Sequence, residues 1–363
     1  MSEISKIEWC DRTWSPWEGC QKVGPGCDHC YAEGMNRWLR HGENWGPSAP
    51  RRTYGPAHWK KPLRWNERAQ AAGHPLTEFP SVCDPFDNAA PAGVRAAFGR
   101  LILATPSLIW LLLTKRIGNA PAMLYEMFAD GPPSNVWLGA TVVNQAEADR
   151  DIPKLLTIPV SVRFLSLEPL LEPIDLESVA WPGLAGHRVD VLRGGYWNQA
   201  PYVVGAAAAA LGTPKGGFTN HSDFPSTIDW VITGGESGRG ARIAHPAWTR
   251  ALRDQCEGAG VPFMFKQWGQ WMPGVQTTNA QFDAARAGVW VKRSGHIHDG
   301  TNPTAFGEGD AHMLSVGKKI SGRLLDGVTH HAFPLLCQPT ACVPTSTSKP
   351  ASGAPSSSCS TIQ

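Results

Sequence analysis

Three cysteines fall within eleven residues in the stretch Cys20-Gln-Lys-Val-Gly-Pro-Gly-Cys27-Asp-His-Cys30-Tyr31, spaced C-x6-C-x2-C on a Gly- and Pro-rich loop. A structural zinc site closes with four ligands, whereas three thiolates suit a metal cluster that keeps one position open for a substrate or cofactor. Two zinc readings compete with it. One is a knuckle with His29 or His41 as the fourth ligand, and the other is a catalytic zinc with three ligands and a water. The spacing matches no common zinc pattern, and the chain has no second C-x2-C pair.

The 363 residues suffice for one large α/β domain or two ordinary ones. Lys plus Arg is 33 and Asp plus Glu is 31, so the formal charge of +2 excludes no class of partner. The N-terminus is polar, with Glu3, Lys6, Glu8 and Asp11, and no cleavable signal is expected there. A reducing cytoplasm is the expected setting, where clustered thiols are metal or redox ligands more often than disulfides. No apolar run approaches membrane-spanning length, so no membrane partner is expected.

Residues 4–10 read as a short strand, 32–40 as a helix and 41–75 as irregular. From residue 78 a rhythm sets in. Apolar runs at 79–83, 108–113, 135–140, 162–167, 228–233 and 261–265 end in polar groups, and helical stretches at 89–104, 120–129, 145–156 and 246–258 follow several of them. Continuous apolar runs with helices between them read as buried parallel strands. The expected α/β fold is a full or partial (β/α)6-type TIM-like barrel of parallel strands over 1–335, with a doubly wound sheet as the alternative. Residues 182–226 read as an insertion without an assigned role. Residues 336–363, rich in Ser, Thr and Pro, read as a disordered tail, so Cys342 and Cys359 are not expected ligands.

Barrel chemistry gathers at the C-terminal ends of the strands. Those ends carry Cys20, Cys27 and Cys30, then Asp84, Thr114 and Lys115, Thr141 and Asn144, Ser166 and Glu168, and Gly234, Gly235 and Glu236. Residues 51–68 hold six Lys or Arg against one Glu, with Tyr54, Trp59 and Trp65 among them. Cations for phosphates and rings for stacking make Arg51, Arg52, Lys60, Lys61 and Arg64 nucleic-acid candidates, and a solvated loop is the plainer alternative.

A cysteine loop of this kind after the first strand of a (β/α) barrel resembles the radical S-adenosylmethionine (SAM) superfamily. The longer loop is similar to that of a phage-associated radical-SAM-like family reading Thr-Trp-x-Pro-Trp-x-Gly-Cys, as Thr13 to Cys20 does here. The likeness extends through Leu-Leu-Thr-Lys-Arg (112–116), Leu-Glu-Pro-Leu-Leu (167–171), Gly-Gly-Glu-Ser-Gly (234–238) and Phe-Lys-Gln-Trp-Gly (265–269). In motif style it also resembles spore photoproduct lyases.

The resemblance implies that Cys20, Cys27 and Cys30 hold three irons of a [4Fe–4S] cluster whose fourth iron takes SAM. An external donor of flavodoxin or ferredoxin type would supply the electron. Thr114 and Lys115 become cofactor contacts, with Lys115 a point charge for the SAM carboxylate. Glu236 or Asp84 would receive the SAM amino group. Thr141, Asn144, Ser166 and Glu168 would contact ribose, adenine or substrate, or else cap the helices that follow. Cys83 and Glu168 are the catalytic candidates; Cys83 could donate a hydrogen atom or simply pack in the core. The implied activity is on a nucleic-acid base or nucleotide. A zinc-stabilised nucleic-acid-binding protein and a radical enzyme acting on a peptide are the alternatives.

Overall fold

The computed structural model describes residues 4–182, 188–199, 215–220, 226–298 and 307–334. Its centre is a seven-stranded sheet: β1 (Arg12–Thr13), β2 (Leu76–Phe79), β3 (Leu108–Thr114), β4 (Val136–Thr141), β5 (Val162–Leu167), β6 (Trp230–Thr233) and β7 (Phe263–Phe265). The strands lie in chain order and every neighbouring pair is parallel. A doubly wound sheet needs a point where the strand order reverses, and this sheet has none. The strand count is seven instead of six, and β1 and β7 share no ladder, so the sheet is a partial barrel.

Period-two alternation gives the strands two buried faces. Ile109, Leu111, Trp137, Phe164, Trp230, Ile232 and Met264 fill the concave side. Leu108, Trp110, Leu112, Leu138, Leu165 and Val231 face outward into the main core. That core also takes in side chains of the helices α2 (Pro56–Ala72), α3 (Val94–Leu103), α4 (Ala120–Met127), α5 (Gln145–Leu156) and α6 (Pro246–Ala259). Burial on both faces is why the runs are apolar without alternation.

Two expectations about the N-terminal part change. Residues 4–10 form turns and bends instead of a strand. Ile7, Trp9 and Cys10 turn inward: Trp9 packs on Phe79 at a 4.4 Å ring separation and joins the concave cluster. The stretch read as irregular contains α2, which has Pro62 in its interior. A proline there leaves the carbonyl four residues earlier without its helical donor. The Trp14 indole donates to that carbonyl, His58 O, at 3.1 Å.

The open edge is filled from the C-terminal part. Phe265 N donates to His330 O, Ala332 N to Phe263 O, and the Trp230 indole to Ala332 O at 2.9 Å. Phe333 lies 4.7 Å from the Trp230 ring. A three-stranded antiparallel sheet (Trp271–Pro273, Ala311–Ser315, Gly288–Val291) follows β7. Within 182–226, the described residues include the antiparallel pair Gly195–Gln199 and Lys215–Asn220. The expected tail, 336–363, lies outside the described residues. Among the described residues, no helix is long and apolar enough to cross a membrane.

Glu78 on β2 stands out energetically. Its side chain is fully buried, 3.7 Å from Arg12 Nε, and among the described residues neither carboxylate oxygen has a hydrogen-bond partner. Burial pushes its carboxyl up to about 9 against the pull of Arg12. The folded value lies above the unfolded one, so the native state holds a proton that the unfolded chain releases. Stability from this group is therefore lost as pH rises from the ordinary carboxylate range toward 9. Glu78→Gln is expected to raise stability at pH 8 by roughly 1–3 kcal/mol and to change little near pH 4. Thermal denaturation at the two pH values checks this, and an unchanged pH dependence in the variant refutes it.

Candidate functional site

The C-terminal ends of the strands enclose a cavity of ≈ 220 Å³. Cys20, Cys27 and Cys30 all line it, together with Cys83, Asp84, Thr114, Lys115, Thr141, Ser166, Glu168, Gly235 and Glu236. The floor is apolar, formed by Ile7, Trp9, Phe79 and Leu113.

The cysteine loop is built into the barrel by its glycines and by two ion-pair networks. Gly19 has φ +125°, and a Cβ there would strike the Asn44 carbonyl and come within 2.8 Å of Arg51 Cδ, so only glycine fits before Cys20. Helix α1 (Tyr31–Arg40) begins directly after Cys30, which is its N-cap residue. The Tyr31 hydroxyl donates to Ser81 O at 2.6 Å and ties the helix start to the end of β2.

The first network surrounds Asp84. Its carboxylate accepts from Thr114 Oγ1 at 2.8 Å, from Phe86 N at 2.9 Å, from Lys115 N at 3.2 Å and from Arg116 Nη1 at 2.9 Å. Thr114 is thus turned toward Asp84, and Asp84 is occupied by protein donors. The Lys115 ammonium has no hydrogen-bond or ion-pair partner among the described residues.

The second network belongs to the Gly-Gly-Glu stretch. Gly235 passes so close to the Trp268 carbonyl that a side chain would collide with backbone, and a Cβ on Gly234 would meet the Glu168 carboxylate. Glu236 accepts from Arg242 Nη2 at 2.7 Å and from its backbone N at 2.7 Å, and it contacts His29 Nδ1 at 2.8 Å. Arg242 Nη1 in turn reaches Asp28 at 3.1 Å. Glu236 therefore latches the cysteine loop to the end of β6.

The remaining candidates separate. Glu168 accepts from Lys266 Nζ at 3.2 Å beside the cavity. Among the described residues, Thr141 Oγ1 and Gln267 Oε1 are buried without partners, and both residues line the cavity. Asn144 caps α5 by accepting from Glu147 N at 2.8 Å, which is the capping alternative. Burial and the neighbouring Asp84 and Cys20 push the Cys83 thiol well above its ordinary range. Burial and Asp84 push Cys20 up to about 11, against Arg116.

The nucleic-acid candidates also divide. Arg51 offers no surface: its side chain is fully buried and donates to Asp87 Oδ2 at 2.7 Å. Arg52 donates to Glu18 at 2.9 Å and lies over the Tyr54 ring. Lys60, Lys61 and Arg64 are exposed on α2 with Arg68, and none has an ion-pair partner among the described residues.

A family model described as "Protein of unknown function (DUF5131)" matches residues 4–334. The chain belongs to the DUF5131 family. No curated protein and no solved structure matches it significantly. The DUF5131 match takes in all seven strands, the cysteine loop and the segment that fills the open edge.

Sequence reasoning weighed His29 only as a fourth zinc ligand and passed over Arg116, Arg242, Trp9 and Gln267 as parts of this DUF5131 site. Only the position of Arg116 next to Lys115 at a strand end offered a signal for any of them. The thiols fit a cluster in their chemistry: three free cysteines lining one cavity, with cationic side chains nearby. Among the described residues, no three His, Cys, Asp or Glu side chains are already gathered around one metal position.

The latch has a pH signature. Burial works against ionised Glu236, but Arg242 and His29 outweigh it and hold the carboxyl below its ordinary value. Its stabilisation is present above the unfolded value and is lost as pH falls through the lower folded one. At pH 7, Glu236→Gln is expected to raise amide exchange in residues 22–30 by roughly 10-fold, the factor that loss of a charged hydrogen bond carries. Exchange as slow as in the wild type would show that the latch does not hold the loop.

Proposed function

We propose that this chain is a radical SAM enzyme acting on a nucleic-acid base or nucleotide-derived group, in base modification, rearrangement or repair. The observation that carries the reading is the meeting of Cys20, Cys27 and Cys30 in one cavity at the C-terminal ends of parallel strands. On this reading they hold three irons of a [4Fe–4S] cluster. When bound and reduced by a flavodoxin- or ferredoxin-type donor, the cluster would cleave SAM to methionine and a 5′-deoxyadenosyl radical that abstracts hydrogen from the substrate.

The chain's own residues have distinct tasks in that reading. The Lys115 ammonium supplies positive charge for a carboxylate. Asp84 and Glu236 are engaged by protein donors, so they position Arg116 and the cysteine loop instead of meeting the SAM amino group. Thr141 Oγ1 and Gln267 Oε1 offer unused hydrogen-bonding capacity to a ligand. Trp9, Phe79 and Leu113 keep water from the floor. The protonated Cys83 thiol is the form that can give up a hydrogen atom.

A nucleic-acid substrate is supported by the exposed cations of α2. This helix stands between the cysteine loop and β2 in the chain, and its first turn is tied to the end of β1 by the Trp14 indole on His58 O. Reconstitution with iron and sulfide under anaerobic conditions, followed by an assay for 5′-deoxyadenosine with and without DNA, tests the whole reading. A colourless protein that retains zinc and leaves SAM intact fails it, and stimulation by peptides but not DNA fails the substrate. Reversing Lys60, Lys61 and Arg64 to Glu is expected to weaken DNA binding at least tenfold at low salt and to flatten its salt dependence by up to about three charges.

A further inference from the structure

Arg116 joins the Asp84 network to the cysteine loop. Its guanidinium is buried at the cavity wall and pinned on several sides. Nη1 reaches Asp84 Oδ2 at 2.9 Å and Cys20 Sγ at 3.4 Å, and Nη2 donates to Gln21 O at 2.8 Å. Its backbone N donates to Thr114 Oγ1 at 2.8 Å, which fixes where the side chain starts. Among the described residues, neither Cys27 nor Cys30 has a side-chain cation at hydrogen-bond distance from its sulfur.

We propose that Arg116 sets the electron affinity at Cys20, making a cluster ligated there easier to reduce; this rests on the cluster reading above. A cationic donor beside a thiolate in a low-dielectric wall favours the state with more negative charge. Reduction adds one electron to the cluster, supplied by the external donor, and Arg116 stabilises that added charge through Cys20. Asp84 lies on the same guanidinium and offsets part of its charge. Removing the cation and removing the anion therefore move the reduction potential in opposite directions, which a merely structural role for Arg116 does not produce.

The experiment is a potentiometric titration of the reconstituted holoprotein followed by electron paramagnetic resonance, with iron and sulfide counted for each sample. At a fixed potential, Arg116→Gln is expected to lower the reduced-to-oxidised ratio about tenfold, a shift of about 59 mV to more negative values. Asp84→Asn is expected to shift the midpoint the other way. Arg116→Gln leaves Asp84 buried without its partner, so the double variant Asp84→Asn/Arg116→Gln provides a second measurement. Its midpoint is expected between that of Arg116→Gln and the wild type.

Fully loaded Arg116→Gln with the wild-type midpoint overturns the proposal. If that variant fails to load, a double variant with a midpoint at or above the wild type overturns it. Failure of both to load while the wild type loads assigns Arg116 to building the loop and also overturns it. Absence of a cluster from the wild type is a separate result: it removes the cluster reading and this inference with it.

Discussion

Replacing Cys20, Cys27 or Cys30 by alanine, one at a time, is expected to take cluster content and SAM cleavage to background. The loss should exceed the roughly 100-fold that removal of a mere supporting partner of a ligand costs. Each thiol lines the same cavity, and no further cysteine ligand stands in the loop to replace a missing one. Cys256→Ala is the control, because its thiol is buried in the main core on α6. Ligation also has to displace protons, and the Cys20 thiol is pushed up to about 11 by burial and Asp84. Loading should therefore fall as pH is lowered. Iron and sulfide analysis with product chromatography reads both effects. Full iron content in all three single variants would remove these cysteines from the metal site.

The largest stability effect is expected at Arg51. Arg51→Met should cost roughly 3–5 kcal/mol, since it removes the close cation of the fully buried Asp87 carboxylate and leaves it only Arg116, 3.9 Å away. Arg51 also donates from Nη1 to the carbonyls of Ala49 at 2.8 Å and Gly46 at 3.1 Å, which shape the turn beside Gly19. The neighbouring Arg52→Met is expected to cost at most about 1 kcal/mol, because that ion pair is partly exposed. Denaturant unfolding of the two variants compares a buried pair with an exposed one of the same chemistry. Equal midpoints would mean that the buried pair contributes no more than a surface contact.

The same two arginines mark where reading the chain reached its limit. Adjacent cations look alike in a sequence, and only the fold puts one beneath the cysteine loop and leaves the other on Tyr54. The strands were legible because burial on both faces leaves them no polar positions to interrupt the run, as in Leu108–Thr114. Helix α2 was not legible, because Pro62 signals a break and the donor that compensates, the Trp14 indole, lies far away in sequence. The cavity-lining cysteines could be found from their close spacing, and Lys115 from its strand-end position. Asp84 and Glu236 were found as residues, but their bonds to Arg116 and Arg242 were not, because those side chains reach them only in the fold.

The wall of the barrel is completed by residues 330–333, which lie beyond the last of its strands. During synthesis the seven strands emerge in the order in which they pair, so each new one finds its neighbour already made. The inner face around Trp230 and Met264 nevertheless stays uncovered until this final stretch leaves the ribosome. A nascent chain halted before His330 carries every strand and the whole cysteine loop with an oily seam open to water. The end of the family-matched region thus supplies the cover that this part of the inner face needs.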